Sequence, residues 1–162
     1  HRHMAKSIFQ DFVKTLGKDW KARFPWIRPA PVAYNPAMPK ASTFYVGTSN
    51  RFNRHLFLNI QYSSKPWAVG EFTVNALFSS QMGAPSRWTA TDLEPDPEGW
   101  HRLGMLLQRK DKWWCLRPTG GHYGVTWRPV SYGDPKEVVR EAVEDVSHDV
   151  AQFFEKIEQR AG

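Results

Sequence analysis

Two stretches of this chain alternate with a period of two, and they lie between stretches whose apolar residues recur every three or four positions. In residues 56–63, Leu56, Leu58, Ile60 and Tyr62 fall on one side, and Phe57, Asn59, Gln61 and Ser63 on the other. In residues 72–79, Phe72, Val74, Ala76 and Phe78 oppose Thr73, Asn75, Leu77 and Ser79. Successive side chains of a strand point to opposite faces, so each stretch predicts a strand with one apolar side. Phe44 and Val46 suggest an earlier strand. Leu103, Met105 and Leu107 suggest a later one, closed by a tight turn at Arg109-Lys110-Asp111. Residues 112–117 then return as its partner, and Tyr123, Val125 and Trp127 form a further strand after Gly120-Gly121. Short consecutive strands with short turns predict an antiparallel sheet of five to six strands.

The flanks read differently. Ile8, Phe9, Phe12, Val13, Leu16 and Trp20 mark one face of an amphipathic helix that Phe24-Pro25 ends. Near the other end, Asp134-Pro135-Lys136-Glu137 supplies an N-cap acid, a proline at the first helical position and a glutamate three residues after the cap. Val139, Val143, Val146, Val150, Phe153 and Ile157 then form a single apolar seam. Packing on the sheet explains that seam, and a coiled-coil homodimer through this helix is the alternative. The expected architecture is α+β, with both helices on the face carrying Leu56, Leu58, Ile60, Phe72, Val74 and Phe78. The opposite face would be left to solvent or to a partner.

His1-Arg2-His3 before Met4 reads as a tag remnant, and residues 4–162 as one globular domain. At 41% hydrophobic the chain has the material for a core, which argues against intrinsic disorder. No apolar run approaches the roughly 18 residues of a membrane span. A single cysteine, Cys115, allows no internal disulfide and suits a reducing compartment, so a cytoplasmic location is expected. Five prolines in residues 25–41 predict an extended covering segment. Residues 80–100 form a long connection carrying Asp92, Glu94, Asp96 and Glu98. That acidic run lacks the glycine and closing glutamate of an EF-hand loop, so no metal site is assigned to it.

Charge is unevenly spread. Residues 21–90 hold eight basic residues and one acid, whereas residues 134–162 hold four basic residues and eight acids. Such asymmetry points to an anionic partner on the sheet side. The residues expected to meet it are Tyr45, Phe57, Asn59, Gln61, Asn75 and Arg128 on the polar face, with Arg51, Arg54 and Lys65 near the strand ends. Aromatic rings stack, amides read hydrogen-bonding edges, and basic groups meet anions.

Catalytic patterns are scarce. His55, His101, His122 and His148 have no metal-ligand spacing, and Gly120-Gly121 lacks the lysine and serine of a phosphate loop. Cys115 lies in an apolar strand, where a thiol is inert. No catalytic residue, cofactor or metal is assigned. An enzyme built on His101 or His122 with a carboxylate is the least favoured class.

The run Gly99-Trp100-His101-Arg102-Leu103-Gly104-Met105-Leu106, followed by Asp111-Lys112-Trp113-Trp114, resembles a bacterial family known as domain of unknown function 4304. The resemblance implies an N-terminal helix, a small antiparallel sheet and a C-terminal helix. It implies no activity and no site residue. The expectation is a non-catalytic protein that binds an anionic macromolecular partner through a basic sheet face, in the manner of an immunity or antitoxin-like protein. A nucleic-acid-binding domain is the alternative, although no RNP1 string, GXXG loop or zinc-finger spacing occurs.

Overall fold

The computed structural model describes residues 2–30, 42–50, 52–63, 70–82, 98–108, 110–116, 126–127 and 134–161. Ten elements follow in chain order: α1 (Arg2–Arg23), β1 (Arg28–Pro29), β2 (Thr43–Ser49), β3 (Arg54–Tyr62), β4 (Glu71–Ser79), β5 (Gly99–Arg102), α2 (Leu103–Gln108), β6 (Trp113–Cys115), β7 (Thr126–Trp127) and α3 (Pro135–Ala161). The fold is α+β, and α1 begins inside the segment read as a tag.

The strand order is β1-β2-β3-β4-β6-β7, with β5 also paired to β4. All pairings are antiparallel except β6 with β7, which is parallel. The alternation in the sequence sets the register: Leu56 opposes Phe78, Leu58 opposes Ala76 and Ile60 opposes Val74, all on one face. A bulge between Tyr45 and Gly47 bends β2, and Gly47 takes a φ of 134° that a side chain would strain.

Both long helices cover that apolar face. Phe12, Leu16 and Trp20 of α1 are sealed against it, as are Ala142, Val146, Val150 and Phe153 of α3. Burying a large apolar side chain stabilises by about 1.5–3 kcal/mol, so the seam of α3 has its partner within the chain. The cap reads as expected, with the Lys136 amide donating to Asp134 Oδ1 at 3.0 Å.

The two helices run in the same direction. Trp20 Nε1 donates to Ser147 Oγ at 3.0 Å, and Ser147 Oγ donates to Asp19 Oδ2 at 2.7 Å. Further along both helices, the Phe24 ring meets the Phe154 ring edge-on at 5.2 Å. A salt bridge from Arg23 to Glu144, 2.6 Å long, closes the solvent side, and this hydrogen bond to Glu144 raises the Arg23 pKa above its ordinary value.

One expected strand is a helix. Leu103, Met105 and Leu107 belong to α2, not to an extended segment. β5 occupies one edge of β4 at Asn75–Phe78, and β6 occupies the same edge at Glu71–Phe72. Between them the chain leaves the sheet, and a helical turn buries Leu103 and Leu106 together in the core. Residues 113–115 therefore pair with β4 rather than with residues 103–107. The return is tight: a Cβ on Gly104 would lie 2.5 Å from the Lys110 carbonyl oxygen and 2.8 Å from Lys112 Cβ.

Lys112 then ties this excursion to α3. Its Nζ lies 3.0 Å from Asp145 Oδ2 and 3.0 Å from Asp149 Oδ2, and it sits 4.8 Å from the centre of the Trp114 ring. Trp114 Nε1 donates to Asp145 as well. Burial pushes the Asp149 carboxyl above its ordinary range, against the opposing pull of Lys112.

Candidate functional site

The face expected to meet a partner is closed at its centre. Phe57, Asn59, Glu71, Thr73, Asn75 and Leu77 are each 0% exposed. This overturns the expectation that Phe57, Asn59 and Asn75 lie bare to solvent. The amides are accommodated because they satisfy one another. Thr43 is registered with Asn59, Asn59 with Asn75, and Asn75 with Arg102, so one row of residues crosses four strands.

Hydrogen bonds run along that row. Asn59 Nδ2 donates to Thr43 Oγ1 at 2.8 Å. Asn75 Nδ2 donates to Asn59 Oδ1 at 3.2 Å and to Gln61 Oε1 at 3.0 Å. Arg102 Nη1 donates to Gln61 Oε1 at 2.7 Å and to Asn75 Oδ1 at 2.6 Å. The Arg102 guanidinium lies 5.2 Å from the Trp113 ring centre, with its Nε 3.4 Å from Asp111 Oδ1. A buried polar group without a partner is costly, and this row supplies the partners. Asn59 and Asn75 are thus parts of the sheet's interior, and half-buried Gln61 serves the same network.

The remaining expected site residues are scattered. Arg54 is held by Glu98, Nε to Oε2 at 2.6 Å, and its Nη1 also donates to the Phe52 and Asn53 carbonyls at 3.3 and 3.2 Å. Half-buried Tyr45 shares a hydrogen bond of 3.0 Å with His55 Nδ1, and the Arg28 guanidinium lies 4.8 Å from its ring centre. Arg51, Lys65 and Arg128 lie outside the described residues, as does His122. His101 is buried, with its ring edge-on to Phe78. His148 is exposed and bonds Gln152 at 3.2 Å, while its neighbours Asp145 and Asp149 turn to Lys112. Among the described residues no three His, Cys, Asp or Glu side chains gather to hold a metal ion, and no helix is long and apolar enough to cross a membrane.

A different surface lies on the helix layer. A groove of about 550 Å3 runs between α1 and the first turns of α3. Ile8, Val139 and Val143 contribute apolar lining, Lys14, Lys18, Lys136 and Arg140 contribute positive charge, and Asp11, Asp19 and Glu144 contribute negative charge. These three lysines make no ion pair among the described residues, unlike Arg140, which holds Glu137 at 2.7 Å. Lys14 and Lys18 are four positions apart and both exposed, and Lys21 continues the ridge three positions on. Beyond it stands Trp26, 54% exposed.

Sequence reasoning missed this surface because it searched the sheet. The signal was present in the spacing of Lys14, Lys18 and Lys21 on the helix side opposite Phe12 and Leu16. No protein-family model, no curated protein and no solved structure matches this chain.

Proposed function

We propose that this chain is a non-catalytic binding protein that recognises an anionic macromolecular partner, and that the partner is an acidic segment of another protein. The observation that carries this reading is the groove between α1 and α3, where Lys14, Lys18 and Lys136 stand unneutralised around Ile8, Val139 and Val143. Apolar lining beside three exposed lysines, which outnumber Asp11, the one groove acid outside an ion pair among the described residues, suits an amphipathic helix with carboxylates along its edges. The site moves from the sheet, where the amides are spent on one another, to the helices.

The test uses a labelled amphipathic helical peptide of glutamate and leucine, titrated with the whole protein. Affinity should fall with added salt, and the double variant Lys14→Glu/Lys18→Glu should weaken it about tenfold, since exposed pairs contribute roughly 0.2–1 kcal/mol each. A double variant that binds as tightly as the parent overturns the reading. Salt-dependent binding of single-stranded DNA or RNA, with no binding of the peptide, would establish the nucleic-acid alternative in its place.

A further inference from the structure

We infer that the outer face of α1 and α3 pairs with a second copy of this chain, about a two-fold axis that passes close to Trp26. The inference goes beyond the peptide reading of the groove and does not rest on it. Trp26 supplies the apolar centre. It is 54% exposed, the greater exposure of the two large exposed hydrophobics among the described residues, the other being Met82 at 36%. Its ring packs on Phe24 with the ring centres 5.7 Å apart and on Phe154 at 5.7 Å, and those two rings meet edge-on. An indole braced on one side loses little freedom when its open half is covered.

Charge changes sign across Trp26. Because α1 and α3 run in the same direction and Phe24 meets Phe154, positions along the layer can be counted from those two rings. On the side towards the groove, Lys14, Lys18 and Lys21 of α1 and Lys136 of α3 are exposed and outside any ion pair among the described residues. They outnumber the acids there, Asp11 and the cap residue Asp134. On the other side Glu155 and Glu158 are exposed, likewise outside any ion pair among the described residues. Other charges of the layer are spent within it: Arg23 holds Asp19 and Glu144, and Arg140 holds Glu137. Arg28, near Trp26 in the sequence, lies over the Tyr45 ring of the sheet.

A two-fold rotation through Trp26, about an axis across the helices, exchanges the two sides. Lys21 lies three residues before Phe24, or about 4.5 Å at 1.5 Å per residue, and Glu158 lies four residues after Phe154, or about 6 Å. The rotation therefore sets Lys21 of one copy at the level of Glu158 in the other, twice over, with the two indoles between these pairs. A wholly acidic partner laid along the whole face would meet Glu155 and Glu158, and a wholly basic one would meet the lysines. Only a surface carrying both signs in the reverse order matches it, and a second copy of this face is such a surface. Tryptophan is also among the residues most often found where binding energy concentrates. The apolar seam of α3 takes no part in this pairing, because it is buried in the core.

The experiment is sedimentation equilibrium of the whole chain over a range of concentrations, with Trp26→Ala, Lys21→Glu and Glu158→Lys beside the parent. The parent should associate to a dimer, and more weakly as salt is added. Each variant should weaken the dimer about tenfold, because two-fold symmetry applies every substitution twice. All three sites are exposed, so thermal midpoints should stay near that of the parent. Lys21→Glu and Glu158→Lys, each weakened alone, should recover parental association when mixed in equal amounts, since the mixed pair restores both contacts between opposite charges. A parent protein that stays monomeric to its solubility limit overturns the inference, as does a dimer that survives all three variants. A dimer lost in Trp26→Ala whose two charge variants do not rescue each other overturns the two-fold pairing. Binding of the glutamate-leucine peptide is read separately with Lys14→Glu/Lys18→Glu, so either reading can fail alone.

Discussion

Asn59 and Asn75 face each other across β3 and β4 at 0% exposure, joined by a hydrogen bond from Asn75 Nδ2 to Asn59 Oδ1. Asn75 is the hub of its row, because it also meets Gln61 and Arg102. Asn75→Ala strips a partner from all three neighbours at once and leaves buried Asn59 Oδ1 without its donor. The expected loss is about 3 kcal/mol in urea unfolding, at the upper end for an orphaned buried group.

Gly104 allows the chain to double back after α2. Gly104→Ala drives a methyl group into the Lys110 carbonyl oxygen, which is backbone and cannot swing away. The excursion must shift, at a cost of about 1–3 kcal/mol. The thermal midpoint should fall, and hydrogen exchange should quicken at residues 103–108 before it does in β3.

Asp149 gives stability a pH signature. Its folded-state pKa is raised by burial, so the native chain takes up this proton more readily than the unfolded chain. The associated stability is fully present below the unfolded pKa and is lost as pH rises through the raised folded value. Between neutral pH and pH 4, the parent protein should therefore gain stability relative to Asp149→Asn. Urea midpoints of the two proteins across that range measure the change, and parallel curves would contradict it.

Trp20 and Ser147 should be coupled. In a double-mutant cycle of Trp20→Phe and Ser147→Ala, the two losses should fall short of additivity by about 1 kcal/mol, reflecting one shared hydrogen bond.

Much of the fold was written in residue spacing. The period-two runs placed Leu56, Leu58 and Ile60 opposite Phe78, Ala76 and Val74, and Asp134-Pro135 marked the start of α3 to the residue. Leu103 and Leu107 misled because a short apolar run fits either period, and only the shared edge of β4 decides between them. The polar face misled for another reason. Alternation tells which residues share a side but not whether that side is dry. Asn59, Gln61 and Asn75 look like surface residues until their mutual register is known. Trp26 was invisible as a candidate because a single tryptophan after a helix carries no periodicity, and its exposure depends on where Phe154 lies, 128 positions downstream in the chain.

The hydrogen bond from Trp20 to Ser147 spans 127 positions. A ribosome must release all the residues up to Ser147 before α1 can meet the group that satisfies its buried indole. Phe12 and Trp20 can meet Phe72 and Phe44 of the sheet earlier, but the side of α1 that faces α3 stays open until then. Maturation of this protein should accordingly be a late event with slow kinetics, and nascent chains halted before residue 147 should be prone to aggregation and to capture by chaperones.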